Sequence, residues 1–191
     1  MSIDKAKRDL RARASETRAK AHAAVAGSAP EDVRANFTAA LSLPAGAVVS
    51  GYWPVRTELD PRPLMTWLEG RGHPLALPTV AGRGRPLVFR PWRPGDELVP
   101  GELGIDTPPA AAGECEPAVL LVPLLAFDAT GGRLGHGAGY YDITIARLRA
   151  RGRVLAVGLA YAGQEVDAVP CEPHDERLDW VVTEEAATRT G

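Results

Sequence analysis

Residues 118–142 read AVLLVPLLAFDATGGRLGHGAGYYD, and this stretch decides the fold. It opens on the most apolar run of the chain, Ala118 to Phe127, crosses a glycine-rich loop, and enters a segment, Tyr140 to Arg151, that reads as a helix. An apolar strand, a glycine turn and a helix start make a common anion-binding arrangement. Glycines let successive backbone N–H groups turn inward, and the free amides of the first helical turn add partial positive charge. Arg133 and His136 supply side-chain donors, and Asp142 is an acid placed where a bound anion would need a metal. We read the loop as the phosphate cradle of a nucleotide site. It is not a Walker loop, which needs Gly-Lys-Ser/Thr at its end, nor the dinucleotide fingerprint, whose third glycine falls at Tyr140. The competing reading is a surface turn whose glycines only satisfy left-handed dihedrals.

Working outward, 191 residues make one domain with a substantial core, and the formal net charge of −2 gives no basic field for nucleic acid or an anionic membrane. The two cysteines, Cys115 and Cys171, form no Cys-x-x-Cys pair, so nothing suggests a secreted scaffold or a zinc site. The N-terminus lacks the apolar core of a signal peptide, and Ala118–Phe127 is too short to span a bilayer. A cytoplasmic location is expected.

Ser2–Ala26 reads as an alanine-rich, charged helix with a thin apolar stripe, expected to lie over the surface of the fold. Lys7 and Arg11 stand one turn apart on it, either as a solvated basic face or reaching over an anionic ligand. A second helix starts at Ser28, where Ser28 and Glu31 have capping-box spacing, and ends at Pro44. Ala47–Trp53 reads as a strand, followed by a turn that holds Glu58. Asp60 caps a helix over 61–69. Leu75–Pro78 and Pro86–Arg90 read as short strands, and 91–117 as a long irregular connection, a kind that usually serves a site. Val119–Leu125 is the central buried strand, Val154–Tyr161 another, and Trp180–Thr183 the last before a fraying tail. The alternation implies an α/β layered domain with a mainly parallel sheet, whose ligands bind outside the carboxyl ends of the strands. Glu58 and Asp142 can then face one cleft. His22, His73 and His174 have no metal-ligand spacing and default to the surface. Arg83, Arg85, Arg90 and Arg93 form either a solvated face or a steering patch for an anionic tail.

Pro123-x-x-Ala126-Phe127-Asp128 followed by Gly132-Arg133-Leu134-Gly135-x-Gly137-x-Gly139-Tyr140-Tyr141-Asp142 resembles the signature of the 5-formyltetrahydrofolate cyclo-ligase family, also called 5,10-methenyltetrahydrofolate synthetases. Lys7-x-x-Leu10-Arg11, Glu58-Leu59-Asp60, Leu103-Gly104-Ile105 and Asp175-x-x-Leu178-Asp179-x-Val181-x-Thr183-Glu184 resemble further blocks of that family, in the same order. The resemblance implies a single three-layer α/β domain over 1–191, of NagB/RpiA/CoA-transferase-like type, with the N-terminal helix packing over a nucleotide site. It implies an ATP-dependent ring closure of 5-formyltetrahydrofolate, free or polyglutamylated, by a monomeric enzyme using Mg²⁺.

Carried over residue by residue, the resemblance makes Lys7, Arg8, Arg11 and the loop Arg133, Leu134, Gly135, His136, Gly137, Ala138, Gly139, Tyr140 and Tyr141 the ATP contacts. It makes Trp53 and Glu58, with residues 136–140, the folate contacts. Arg133, His136, Tyr140 and Tyr141 take the catalytic roles, and Asp142 and Asp175 hold the metal. Some relatives carry Arg at the position of His136 and Lys at that of Ala138, so this chain has less fixed positive charge there. Two other readings stand beside this one: a paralogue phosphorylating another formyl or amide substrate, and a non-catalytic nucleotide-binding module.

Overall fold

Alternation along the apolar run assigns its residues to two opposite layers. In the computed structural model, which describes residues 2–190, Val119 and Leu121 point into one core and Leu120 and Val122 into another, as a strand buried on both faces requires. The elements in chain order are α1 (Ile3–Val25), α2 (Ala29–Ala40), β1 (Val49–Ser50), α3 (Arg62–Glu69), β2 (Leu75–Thr79) and β3 (Val88–Pro91). There follow β4 (Val99–Pro100), β5 (Asp106–Thr107), β6 (Val119–Pro123), β7 (Ala126–Phe127) and β8 (Arg133–Leu134). The chain closes with α4 (Tyr140–Arg151), β9 (Leu155–Leu159), β10 (Trp180–Val182) and β11 (Ala187–Arg189).

Seven strands form the main sheet in the order β11-β10-β9-β6-β1-β2-β3. The five inner strands are parallel, and β3 and β11 are antiparallel edges. One face packs against α2 and α3 through Val33, Phe37, Leu64, Met65 and Leu68. The other packs against α4 through Ile145 and Leu148. This is the three-layer α/β arrangement expected. No helix among the described residues is long and apolar enough to cross a membrane.

Three local expectations change. The strand expected over Ala47–Trp53 shrinks to two residues, since only Val49 and Ser50 pair with both β2 and β6. Ser28 makes no capping bond, because its backbone is already helical (φ −115°, ψ −34°) where a capping side chain needs an extended residue, and Glu31 pairs with Arg34 at 2.6 Å instead. The tail does not fray: residues 187–189 pair with β10 as the sheet edge. As expected, α1 lies over the surface of the fold, packed by one face. Leu10 and Ala14 pack on Leu125, Ala126 and Leu134 of the β7–β8 hairpin, and the same face buries Lys7 and Arg18.

Candidate functional site

Strand order reverses between β1 and β6: the chain runs from β1 to β2 on one side and from β6 to β9 and β10 on the other. The segments leaving the carboxyl ends of these strands must splay apart there, which opens a crevice. A cleft of about 1000 Å³ occupies that place. Residues 52–58 after β1, the glycine loop after β8, residues 101–107, residues 172–176 and one face of α1 form its walls. Of the residues singled out from sequence, Lys7, Arg11, Trp53, Glu58, Arg133, 135–142 and Asp175 all line it. Two do not. Arg8 is exposed and does not reach the cleft, and Leu134 is buried under α1 with its carbonyl accepting the Leu125 N–H at 2.7 Å.

The loop stands on a hairpin locked by Asp128. Its buried carboxylate accepts the N–H groups of Thr130, Gly132 and Val169 at 2.9, 3.0 and 2.8 Å, and the Thr130 hydroxyl at 2.7 Å. Burial alone would raise its pKa, but these donors outweigh it and hold the group below the ordinary carboxylate value. Beyond the hairpin, Gly137 (φ +100°) and Gly139 (φ +70°) take backbone conformations that L side chains rarely adopt. Gly139 leads directly into α4, and no side chain caps that helix, so its first-turn amides keep their partial charge facing the loop. Arg11 lies across the loop: its Nε donates to the Gly135 carbonyl at 3.0 Å, and a Cβ on Gly137 would stand 3.1 Å from its Cζ.

Cations and acids alternate along the wall formed by α1, the start of α4 and residues 172–176. Lys7 is only 7% exposed and donates to Glu172 Oε2 at 2.8 Å and Asp175 Oδ2 at 2.6 Å. Burial opposes its charge, yet the bonds to the two carboxylates leave its pKa raised, and Asp175 is correspondingly lowered. Arg133 donates to Asp142 Oδ1 at 2.8 Å and to the Glu176 carbonyl, while Asp142 also accepts the Glu176 N–H at 3.0 Å. His174, assigned to the surface from sequence, is indeed exposed, and its ring stands 3.8 Å from Glu172 and 3.9 Å from Asp175. His22 departs from the surface expectation: its Nδ1 meets the Tyr161 hydroxyl at 2.9 Å.

On the opposite wall Glu58 is buried, with Oε2 accepting the Val55 N–H at 2.9 Å. Its Oε1 faces His136 Nε2 at 3.4 Å and Arg18 Nη1 at 3.7 Å. Trp53 is half-buried, edge-on to Trp92 at 5.9 Å, with the Arg62 guanidinium 5.2 Å from its ring centre. It therefore both anchors the core and lines the cleft. Tyr141 lies deep in the cleft, where burial first and Glu58 second push its phenol pKa up, so it stays a neutral donor. Sequence reasoning missed Arg18, Thr57 and Glu172, whose significance exists only through partners far along the chain. It also missed Leu103 as a lining residue, which sits exposed at the rim with φ +62°.

Comparison with known proteins now bears on this geometry. The sequence model of the 5-formyltetrahydrofolate cyclo-ligase family matches residues 3–184. A 5-formyltetrahydrofolate cyclo-ligase of Mycolicibacterium smegmatis is 37% identical over 149 residues, covering 73% of this chain and 74% of its own length. One from Escherichia coli K12 is 37% identical over 134 residues, covering 66% and 71%. The NMR structure of Aquifex aeolicus 5,10-methenyltetrahydrofolate synthetase matches with a TM-score of 0.72 at 27% identity, over 99% of this chain and 93% of that one. A Mycoplasma pneumoniae 5,10-methenyltetrahydrofolate synthetase shares the fold, with a TM-score of 0.67 at 21% identity over 93% and 98%. Nearly the whole length lies within the family model, and the Mycolicibacterium smegmatis relative agrees over more than two thirds of both chains, so the chain belongs to the 5-formyltetrahydrofolate cyclo-ligase family.

Proposed function

We propose that this protein closes 5-formyltetrahydrofolate to 5,10-methenyltetrahydrofolate at the expense of ATP. One observation carries the reading beyond family membership: a glycine loop with an uncapped helix start and a buried acceptor carboxylate, Glu58, line the same cleft. The first suits a triphosphate and the second suits the N–H edge of a reduced pteridine. The formyl oxygen attacks the γ-phosphorus, and the bond to ADP breaks. The N10 nitrogen then attacks the activated carbon and loses its proton, and phosphate departs carrying the former formyl oxygen. A formyl oxygen is a poor leaving group, so the protein's task is alignment and charge stabilisation.

In this reading Arg11 and the loop amides hold the phosphates, with Lys7 and Arg133 joining when they leave their carboxylate partners. His136, between the loop and Glu58, bridges the two ligands, and neutral Tyr141 donates toward the transferring oxygens with Tyr140 packing beside it. Trp53 lines the pteridine side. The donor set also fits Mg²⁺. Asp142 and Asp175 are hard oxygen donors on the cleft wall, and Asp142 Oδ2 makes no hydrogen bond among the described residues. When bound there, the ion would neutralise phosphate charge.

The test is to mix the protein with Mg-ATP and 5-formyltetrahydrofolate and follow the methenyl chromophore together with ADP. One ADP per methenyl product is expected, and no product overturns the reading. Asp142→Ala should lose about 100-fold in kcat by removing charge stabilisation at the phosphoryl group. The exposed Arg85→Ala should match the parent.

A further inference from the structure

Arg18 stands on α1 seven residues beyond Arg11, on the face that carries Ala14 into the fold. It is 3% exposed, yet its fork is poorly satisfied. Nε donates to Thr57 Oγ1 at 3.2 Å, while Nη1 is buried and makes no hydrogen bond. A guanidinium kept only for stability is expected to have its buried donors paired, because each orphan carries a desolvation cost. The opposite charge facing Nη1 is Glu58 Oε1, at 3.7 Å, too far for a hydrogen bond. That oxygen is itself unbonded, with His136 Nε2 at 3.4 Å on its other side. Arg18 lines the cleft beside Tyr52, Glu58 and His136. The pair is thus a fixed cation and an acceptor oxygen, both held short of bonding each other.

We propose that Arg18, steered by the Thr57 hydroxyl, is a positioning residue that holds the Glu58 carboxylate in the orientation that accepts the N–H edge of the substrate's pteridine. This rests on the folate reading of the cleft given above. Val55 fixes one oxygen of Glu58 through its backbone N–H, and the second lies between two cation-capable groups, His136 Nε2 at 3.4 Å and Arg18 Nη1 at 3.7 Å, so that the buried Arg18 charge balances the pull of the exposed imidazole. Both oxygens then keep lone pairs directed at the adjacent N–H donors of a 2-amino-4-oxo pyrimidine ring. Without Arg18 only His136 faces that oxygen, the carboxylate turns to close a hydrogen bond with the imidazole, and the site loses its pre-set acceptor.

Steady-state kinetics on the full chain tests this with 5-formyltetrahydrofolate and Mg-ATP varied separately, and thermal melts establish folding. Arg18→Met should raise KM for 5-formyltetrahydrofolate about tenfold or more while KM for ATP stays within about twofold. Arg18→Lys should recover part of that loss. The double variant with Glu58→Gln should be no worse than Glu58→Gln alone, since one residue acts through the other. Thr57→Val keeps the guanidinium and removes its anchor, so it should show the same selectivity at about threefold and decides the matter if Arg18→Met does not fold. Unchanged folate KM, equal rises in both KM values, or multiplicative effects in the double variant would each overturn the proposal. A parent protein inactive on this substrate overturns the folate reading itself, which is a distinguishable failure.

Discussion

At Asp128 one carboxylate gathers three backbone N–H groups and a hydroxyl, and the hairpin that carries the glycine loop is built on it. Gly132 follows from this geometry: a Cβ there would sit 2.6 Å from Asp128 Oδ2. The folded pKa of Asp128 is lowered, so its stabilisation is complete above the unfolded value of about 3.9 and is lost as pH falls through the folded value. Asp128→Asn turns an amide N–H₂ toward donors and should cost about 2–3 kcal/mol at pH 7. For a chain of this size that lowers Tm by about 4–12 °C. Below pH 3 the gap to the parent should narrow, since the parent carboxyl protonates as well. Melts from pH 7 to pH 2.5 check this, and a constant gap removes the charge-based explanation. The block from Ala126 to Asp128 was visible in sequence, but not that Asp128 reaches Val169 across the fold.

The first turn of α4 owes its position to Thr144. Its buried hydroxyl donates to the Tyr140 carbonyl at 2.6 Å and accepts the Leu87 N–H, ahead of β3, at 2.8 Å. Thr144→Val keeps the shape and orphans a buried N–H, for about 1–3 kcal/mol. If α4 forms the cradle, KM for ATP should rise several-fold as well, and Thr144→Ser should restore both. Stability lost with KM unmoved would separate α4 from the nucleotide. Elements of this kind were legible in proportion to how far their pattern is local. α2, α3, β6 and β9 announce themselves by apolar periodicity, and α4 by its position after the glycines. α1 shows its placement but not its whole buried face, which carries Lys7 and Arg18, whose burial depends on acids at 172, 175 and 58. β11 is short and polar, and only the free edge of β10 makes it a strand. The capping box at Ser28 fails because spacing does not encode the backbone angles of the cap.

Across the whole molecule, the cleft is closed by charges that meet from the two ends of the chain. Lys7 bonds Glu172 and Asp175 over separations of 165 and 168 residues, and Arg133 and Asp142 pair a few residues from the same segment. Two of the cations assigned to phosphate, Lys7 and Arg133, are therefore already held by acids, while Arg11 donates to the Gly135 carbonyl, and two of those acids, Asp142 and Asp175, are the ones assigned to metal. A Mg-bound triphosphate offers both sides replacement partners at once: anions for Lys7 and Arg133, a cation for Asp142 and Asp175. Binding is then an exchange of ion pairs, and mutations that weaken the resting pairs should act with opposite signs on stability and affinity. Glu172→Gln removes one of the two acids from Lys7. Partly exposed pairs contribute little, so stability should fall by about 1 kcal/mol or less. KM for ATP should fall about two- to fivefold, because less of the resting interaction must be given up. In the parent, Mg-ATP at 100 times its Kd should add about 2.7 kcal/mol of stability, and the variant should gain more at the same concentration. Melts with and without Mg-ATP read both effects in one experiment. A Glu172→Gln protein that is destabilised and also binds ATP more weakly would make the Lys7 pairs a brace for the cleft wall rather than a resting place for a phosphate ligand.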